Sequence, residues 1–228
     1  MVNTPSISVN KLAEYIVSRG ARQRQILKDR KYPDEEFNLG MYHREAAEAV
    51  AQYISGGAID PSPISARLAK LAQATPEKVG TARRLNANID ALERFLEMLD
   101  DIDLMGASPS LGSNNAPRLP FHNVQVSVRP EILLKGDGPK GKKCVGAIKF
   151  HFSKTRPLGE EAAGYVSAIV QEYCKLHLVD DEEVVHPGYC QVIDVASGNV
   201  YPGVKSTTKR MKDVAAECQN IAGLWPSI

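Results

Sequence analysis

No cysteine precedes Cys144, and the four that follow it (Cys144, Cys174, Cys190 and Cys218) never form a C-x-x-C pair. Their spacings of 30, 16 and 28 residues match no zinc module. Three of them lie within apolar runs, where a thiol behaves as a small hydrophobe, so the chain reads as a reduced, cytoplasmic protein. No apolar run approaches the ~20 residues of a membrane span. The opening residues are polar and include Pro5, unlike a signal peptide. No membrane partner is expected. Neither sign of charge dominates, with 28 Lys and Arg against 27 Asp and Glu, so bulk charge selects no partner. Internal repeats and low-complexity tracts are absent as well.

What is present is enough apolar material, 43% of 228 residues, to bury one medium core or two small ones. The distribution of charge says more than its sum. Residues 19–31 hold Arg19, Arg22, Arg24, Lys28, Arg30 and Lys31 against the single acid Asp29. Residues 135–156 hold six lysines and Arg156 against Asp137. Such clusters are the footprint a polyanion needs, although a solvated face explains each cluster alone as well.

Residues 1–105 read as a helical region. Ser8 caps a pattern carried by Leu12, Tyr15 and Ile16. A basic helix covers Arg22 to Lys31, closed by Pro33, and a third spans Gly40 to Ile54. Two more are expected, from Ile64 to Gln73 and from Pro76 to about Leu99. Residues 106–118, GASPSLGSNNAPR, have the composition of a linker or loop. From 119 to 228 the period shifts and an α/β unit follows. Val124, Val126, Val128, Ile132 and Leu134 alternate in a strand interrupted by Pro130. Cys144, Gly146, Ile148, Phe150 and Phe152 alternate in the next, across a turn-rich segment. Residues 159–178 form an amphipathic helix, 189–195 a strand, 200–204 a candidate returning strand, and 207–224 a closing helix.

Strand alternation puts Ala147, Lys149 and His151 on the face opposite Ile148 and Phe150. A hairpin centred near Lys140 pairs positions whose numbers sum to about 280, setting Glu131 against Lys149, give or take a two-residue register step, at the ~4.5–5.5 Å separation of opposed Cβ atoms. At base rates that is a cross-strand ion pair worth under ~1 kcal/mol. Its chemical use would be phosphodiester hydrolysis. A carboxylate holds a hard divalent cation that lowers the pKa of a bound water, and a lysine serves the attacking water. One further acidic ligand is needed.

The segment Val-Arg-Pro-Glu131, a turn, then Gly146-Ala147-Ile148-Lys149 resembles the PD-(D/E)XK nuclease superfamily. The opening Ser6–Tyr15 followed by a basic helix is similar to its RecB-like branch. The resemblance implies a helical N-terminal half followed by a small mixed β-sheet flanked by helices. It also implies a Mg²⁺- or Mn²⁺-dependent nuclease hydrolysing DNA, with RNA as a further substrate. Glu131 would be the first acid and Lys149 the catalytic lysine. Helix 40–55 would be the first core helix, with His43 as the branch's histidine, and His151 joins it as an accessory candidate. The chain departs from the pattern at Ala147, where the family has Asp or Glu. Some members move that acid to the following helix, where Glu161 and Glu172 lie three turns apart on one side. The family's glutamine in that helix is replaced by Ile169. The cysteine pattern fits no iron–sulfur cluster.

Phosphates would be held by Arg22, Arg24, Lys142, Lys143, Lys154 and Arg156. The alternative from a different class is a non-catalytic nucleic-acid-binding or assembly module on a degenerate nuclease fold, for which Ala147 is the best argument. In either case the helical half is free to bind a partner protein or a second copy.

Overall fold

A computed structural model describes residues 4–33, 42–138 and 141–228. Gly40 and Met41 of the expected third helix, and the expected hairpin centre at Lys140, lie outside the described residues. Ser8 caps as anticipated, its hydroxyl accepting from the Lys11 amide at 3.4 Å. The capped helix α1 (Val9–Val17) follows the short strand β1 (Ser6–Ser8), and α2 (Ala21–Lys31) comes next. Helices α3 (Arg44–Ser55), α4 (Ser62–Ala72) and α5 (Val79–Leu96) complete the N-terminal set.

The α/β expectation holds: the chain is mixed α/β, with two mixed sheets among the described residues. The main sheet is ordered β2 (Ser108–Leu111), β5 (Ile132–Asp137), β6 (Lys143–His151), β8 (Val192–Asp194), β9 (Asn199–Tyr201). The first three strands run antiparallel, and β8 lies parallel to β6 after the crossover helix α6 (Glu160–His177). A further strand, β7 (Glu183–Val185), pairs parallel with the opening residues of β6. Between β7 and β8 the chain crosses Gly146, where a Cβ would stand 2.2 Å from that of Tyr189. Only glycine admits that approach.

Two expectations are corrected. Residues 108–111, read as part of a linker, form the edge strand β2, paired with 132–135. The run 124–134 is not one interrupted strand. β4 (Val124–Ser127) belongs to a separate sheet with β1 and β3 (Arg118–Phe121), and only β5 joins the main one. The break falls at Arg129, whose φ of 43° is left-handed, followed by Pro130, which has no amide hydrogen to donate.

The main sheet is covered on both faces. Ile132, Leu134, Ile148, Phe150 and Ile193 pack with α3, α4 and α5. Ala147, Val192 and Leu133 pack with α1, α2, α6 and the closing helix α7 (Thr208–Leu224). The N-terminal helices therefore contribute to the layers on both faces of the sheet, and α6 and α7 complete one of them. Helix α3, expected as the first core helix, covers one face. Helix α1 packs beside α6 on the face that carries Lys149. No described helix is long and apolar enough to cross a membrane.

Candidate functional site

The register of β5 and β6 sets the site. Ile132 pairs with Ile148, so the index sum is 280, and one step further Glu131 meets Lys149. The Glu131 amide donates to the Ile148 carbonyl at 3.1 Å, and the Glu131 carbonyl accepts from the Gly112 amide at 2.9 Å. The backbone at 131 is thus held between the end of β2 and the middle of β6, although Pro130 cannot donate.

The side chains close the arrangement. Glu131 Oε1 accepts from Lys149 Nζ at 2.6 Å, and Oε2 accepts from the Phe150 amide at 2.8 Å. Lys149 Nζ also donates to the Arg129 carbonyl at 2.9 Å. The Lys149 side chain is 11% exposed and that of Glu131 24%. Because β5 begins only at Ile132, the Phe150 amide has no strand carbonyl opposite it, and the carboxylate fills that role. The acid and the amine converge as the pairing predicts, and both carboxylate oxygens are engaged within the fold.

Helix α1 borders the pair. Asn10 Nδ2 donates to the Phe150 carbonyl at 2.9 Å. One turn on, Glu14 accepts from Lys11 Nζ at 2.6 Å and from Arg22 Nε at 2.8 Å, with Arg156 Nε at 4.0 Å. Burial alone would raise the Glu14 pKa, but the bonds from Lys11 and Arg22 hold it below the ordinary carboxylate value. Sequence reasoning missed Glu14 and Asn10. Their i, i+4 spacing puts them on one helix face, which is the only signal the sequence carries.

His151 is buried, and its Nε2 donates to the Arg156 carbonyl at 2.7 Å. Burial lowers its pKa, opposed by that hydrogen bond and by Asp194 and Glu14, and reinforced by Lys11. A histidine whose folded pKa lies below its unfolded ~6.5 contributes stability that is complete above that value. The contribution is lost as pH falls through the depressed folded pKa. The stability advantage of wild type over His151→Gln should therefore shrink as urea midpoints are measured from pH 7.5 down to 5. An advantage that grows on acidification would refute a neutral buried ring.

Asp194, fully buried, accepts from the Leu158 amide at 2.7 Å and from the Ser197 hydroxyl at 2.8 Å. It pins the loops on either side of the sheet end.

The remaining candidates are dispersed. Glu161 is exposed, and its electrostatic neighbour is Tyr165, which donates to Asp213 of α7 at 2.9 Å. Glu172 is half-buried, and neither acid shares an ion pair with Lys149 among the described residues. His43 precedes α3 and stacks on Phe152 with ring centroids 5.5 Å apart, on the α3 side of the sheet. Burial lowers its pKa, and the charges of His151 and Lys154 add to the effect. Lys143 pairs with Asp137 at 2.7 Å, and Lys154 pairs with Asp90. Lys142, Arg24 and Arg156 are exposed.

Among the described residues, no group of three or more His, Cys, Asp or Glu could hold a metal ion. The donor set at Glu131 fits a divalent cation poorly. It offers one carboxylate with both oxygens engaged, and the nearest β6 residue on the same face, the fully buried Ala147, carries no ligand atom. No protein-family model matches the chain, and no curated protein matches it.

Proposed function

We propose that this chain is a non-catalytic nucleic-acid-binding module built on a degenerate PD-(D/E)XK-type nuclease fold. The observation that carries the reading is the state of Glu131. Its carboxylate serves as an internal bridge between Lys149 and the Phe150 amide, beside an alanine where the nuclease pattern needs an acid. The nuclease-type fold is supported by the antiparallel run β2–β5–β6, the crossover through α6 and the parallel strand β8. The four buried free thiols suit a reducing cytoplasm.

The binding surface we assign is the outer side of α2 and the loop after β6. Within the basic run, Arg22 is spent on Glu14, Arg30 on the Ser6 carbonyl at 3.1 Å, and Lys31 on the Trp225 carbonyl at 2.7 Å. Arg19, Arg24 and Lys28 stay exposed without an ion-pair partner among the described residues. Through Glu14, the Arg22 and Arg156 contacts bring α2 close to the loop after β6.

Three phosphates neutralised by Arg19, Arg24 and Lys28 correspond to a slope of about −2.7 in log K against log salt, or roughly 40-fold between 50 and 200 mM. Anisotropy with labelled DNA and RNA, in the absence of divalent metal, should show this dependence. The double variant Arg24→Glu/Lys28→Glu should bind at least about tenfold more weakly. Absence of binding at 50 mM salt would refute the proposal.

One observation favours a second reading, a Mg²⁺- or Mn²⁺-dependent nuclease: the acid and the lysine do converge beside α1. Cleavage that requires Mg²⁺ or Mn²⁺ and disappears in Lys149→Ala would establish that reading in place of the first.

A further inference from the structure

Two of the exposed cations assigned to nucleic acid stand in file with an aromatic ring. Arg24 and Lys28 are four residues apart on α2, and Tyr32 is four further on, so the three follow one stripe at about 6 Å per step. The Tyr32 amide still donates to the Lys28 carbonyl at 2.9 Å, which places the ring one turn beyond that lysine. All three side chains are exposed, while Ile26 and Leu27 bury the inner side of the helix. Asp29, the one acid of α2, lies off the stripe and accepts from Gln25 at 2.6 Å.

Tyr32 is the informative residue. At 59% exposure it is the one aromatic side chain among the described residues that is neither buried nor half-buried. It forgoes the burial that every other described ring obtains at least in part. The ring is nevertheless tied to the body of the protein. Lys31 Nζ donates to the carbonyl of the buried Trp225 at 2.7 Å. The same ammonium stands 5.9 Å from the Trp225 ring centroid and 5.6 Å from that of Tyr32. An anchored cation thus steadies the exposed ring at the end of the cationic stripe.

The two kinds of group ask for different parts of a ligand. Arg24 and Lys28 complement phosphates, which single strands and duplexes both supply. A ring on the protein surface complements the face of an unpaired base. A duplex keeps its base faces stacked against one another and offers only phosphates and groove edges. A single strand offers phosphates and open base faces side by side, in the order that the stripe presents their partners. We infer that the Arg24–Lys28–Tyr32 stripe is a seat for single-stranded nucleic acid, with a base stacked on Tyr32. The inference rests on the nucleic-acid-binding reading and narrows its ligand to unpaired DNA or RNA, which share this chemistry.

Anisotropy of the full chain with labelled oligothymidylate and oligouridylate of about 20 nucleotides, against a duplex of equal length and without divalent metal, tests the inference. At least one single strand should bind about tenfold or more tightly than the duplex at equal salt. Tyr32→Ala should lower single-strand affinity about 5- to 100-fold and leave duplex affinity within about twofold. Its salt slope should stay in place, because stacking releases no counterions, whereas Lys28→Ala should reduce the slope by about 0.7. Tyr32→Phe keeps the ring and should keep the affinity, so a loss confined to Tyr32→Ala reports stacking, not folding. Tighter binding of oligothymidylate assigns the seat to DNA, and tighter binding of oligouridylate assigns it to RNA. Equal affinity for single strands and duplex, or a Tyr32→Ala protein that binds single strands as wild type does, would overturn this inference and leave the binding module standing. Absence of binding to every probe at about 50 mM salt would overturn both.

Discussion

Replacing Glu131 with alanine should lower folding stability by about 3–5 kcal/mol, the range for removing one partner of a buried ion pair. Two groups lose their acceptor in that variant. The Lys149 ammonium, on a side chain only 11% exposed, keeps just the Arg129 carbonyl, and the Phe150 amide keeps nothing in its place. Lys149→Met should cost less, because Glu131 is 24% exposed, can recruit water and still bonds the Phe150 amide. Glu131→Gln/Lys149→Met removes both charges and retains an oxygen for that amide. It should fall within about 1–2 kcal/mol of wild type, as uncharged replacements of buried pairs commonly do. Urea midpoints of the four proteins give the coupling directly. A loss below about 1 kcal/mol for Glu131→Ala would mean a solvated surface pair and would remove the argument that the carboxylate is committed to the fold. The charge-free double variant also separates the functional readings. A binding module keeps its affinity for nucleic acid in that background, whereas a nuclease loses its chemistry.

The pairing at the centre of this argument was legible because an antiparallel register has a simple arithmetic. Once the turn between two alternating runs is located, opposed residues have a constant index sum, and 280 is the value found. The capped α1 and the crossover α6 were legible from hydrophobic spacing. Three features were not. Strand β2, Ser-Pro-Ser-Leu, has neither alternation nor strong β-formers, and it exists as a strand because β5 offers it a free edge. The parting of β4 from β5 depends on a left-handed Arg129, which arginine rarely adopts and no local pattern announces. Glu14 gathers Lys11, Arg22 and Arg156 from its own helix, the next helix and a loop more than a hundred residues away. Such a cluster depends on tertiary packing, which periodicity does not encode. The basic run 19–31 was legible as charge, but its division into anchors and exposed cations was not.

Gly112→Ala is the second variant with a large expected effect, because it acts on Glu131 from outside the pair. A Cβ at 112 would lie 1.9 Å from the Pro130 carbonyl oxygen and 2.9 Å from its carbon, so the contact is with backbone that cannot rotate aside. Either β2 peels away at its end, losing the bond from the Gly112 amide to the Glu131 carbonyl, or the Pro130–Glu131 segment shifts along β6. Overpacking of this kind costs about 1–3 kcal/mol, and the lost edge bond adds to it. Gly80→Ala is the matched control. It lies in α5 with nothing within 4 Å of the added atom, and it should stabilise slightly. The informative measurement is the double variant Gly112→Ala/Glu131→Ala. If the clash displaces the carboxylate from Lys149, removing that carboxylate afterwards costs much less than it does in wild type, and the two losses fail to add. Strict additivity would mean that Gly112 matters only for local packing and that Glu131 is positioned by β6 alone. Non-additivity would mean that the edge strand, through a single close glycine contact, sets the distance between the acid and the amine.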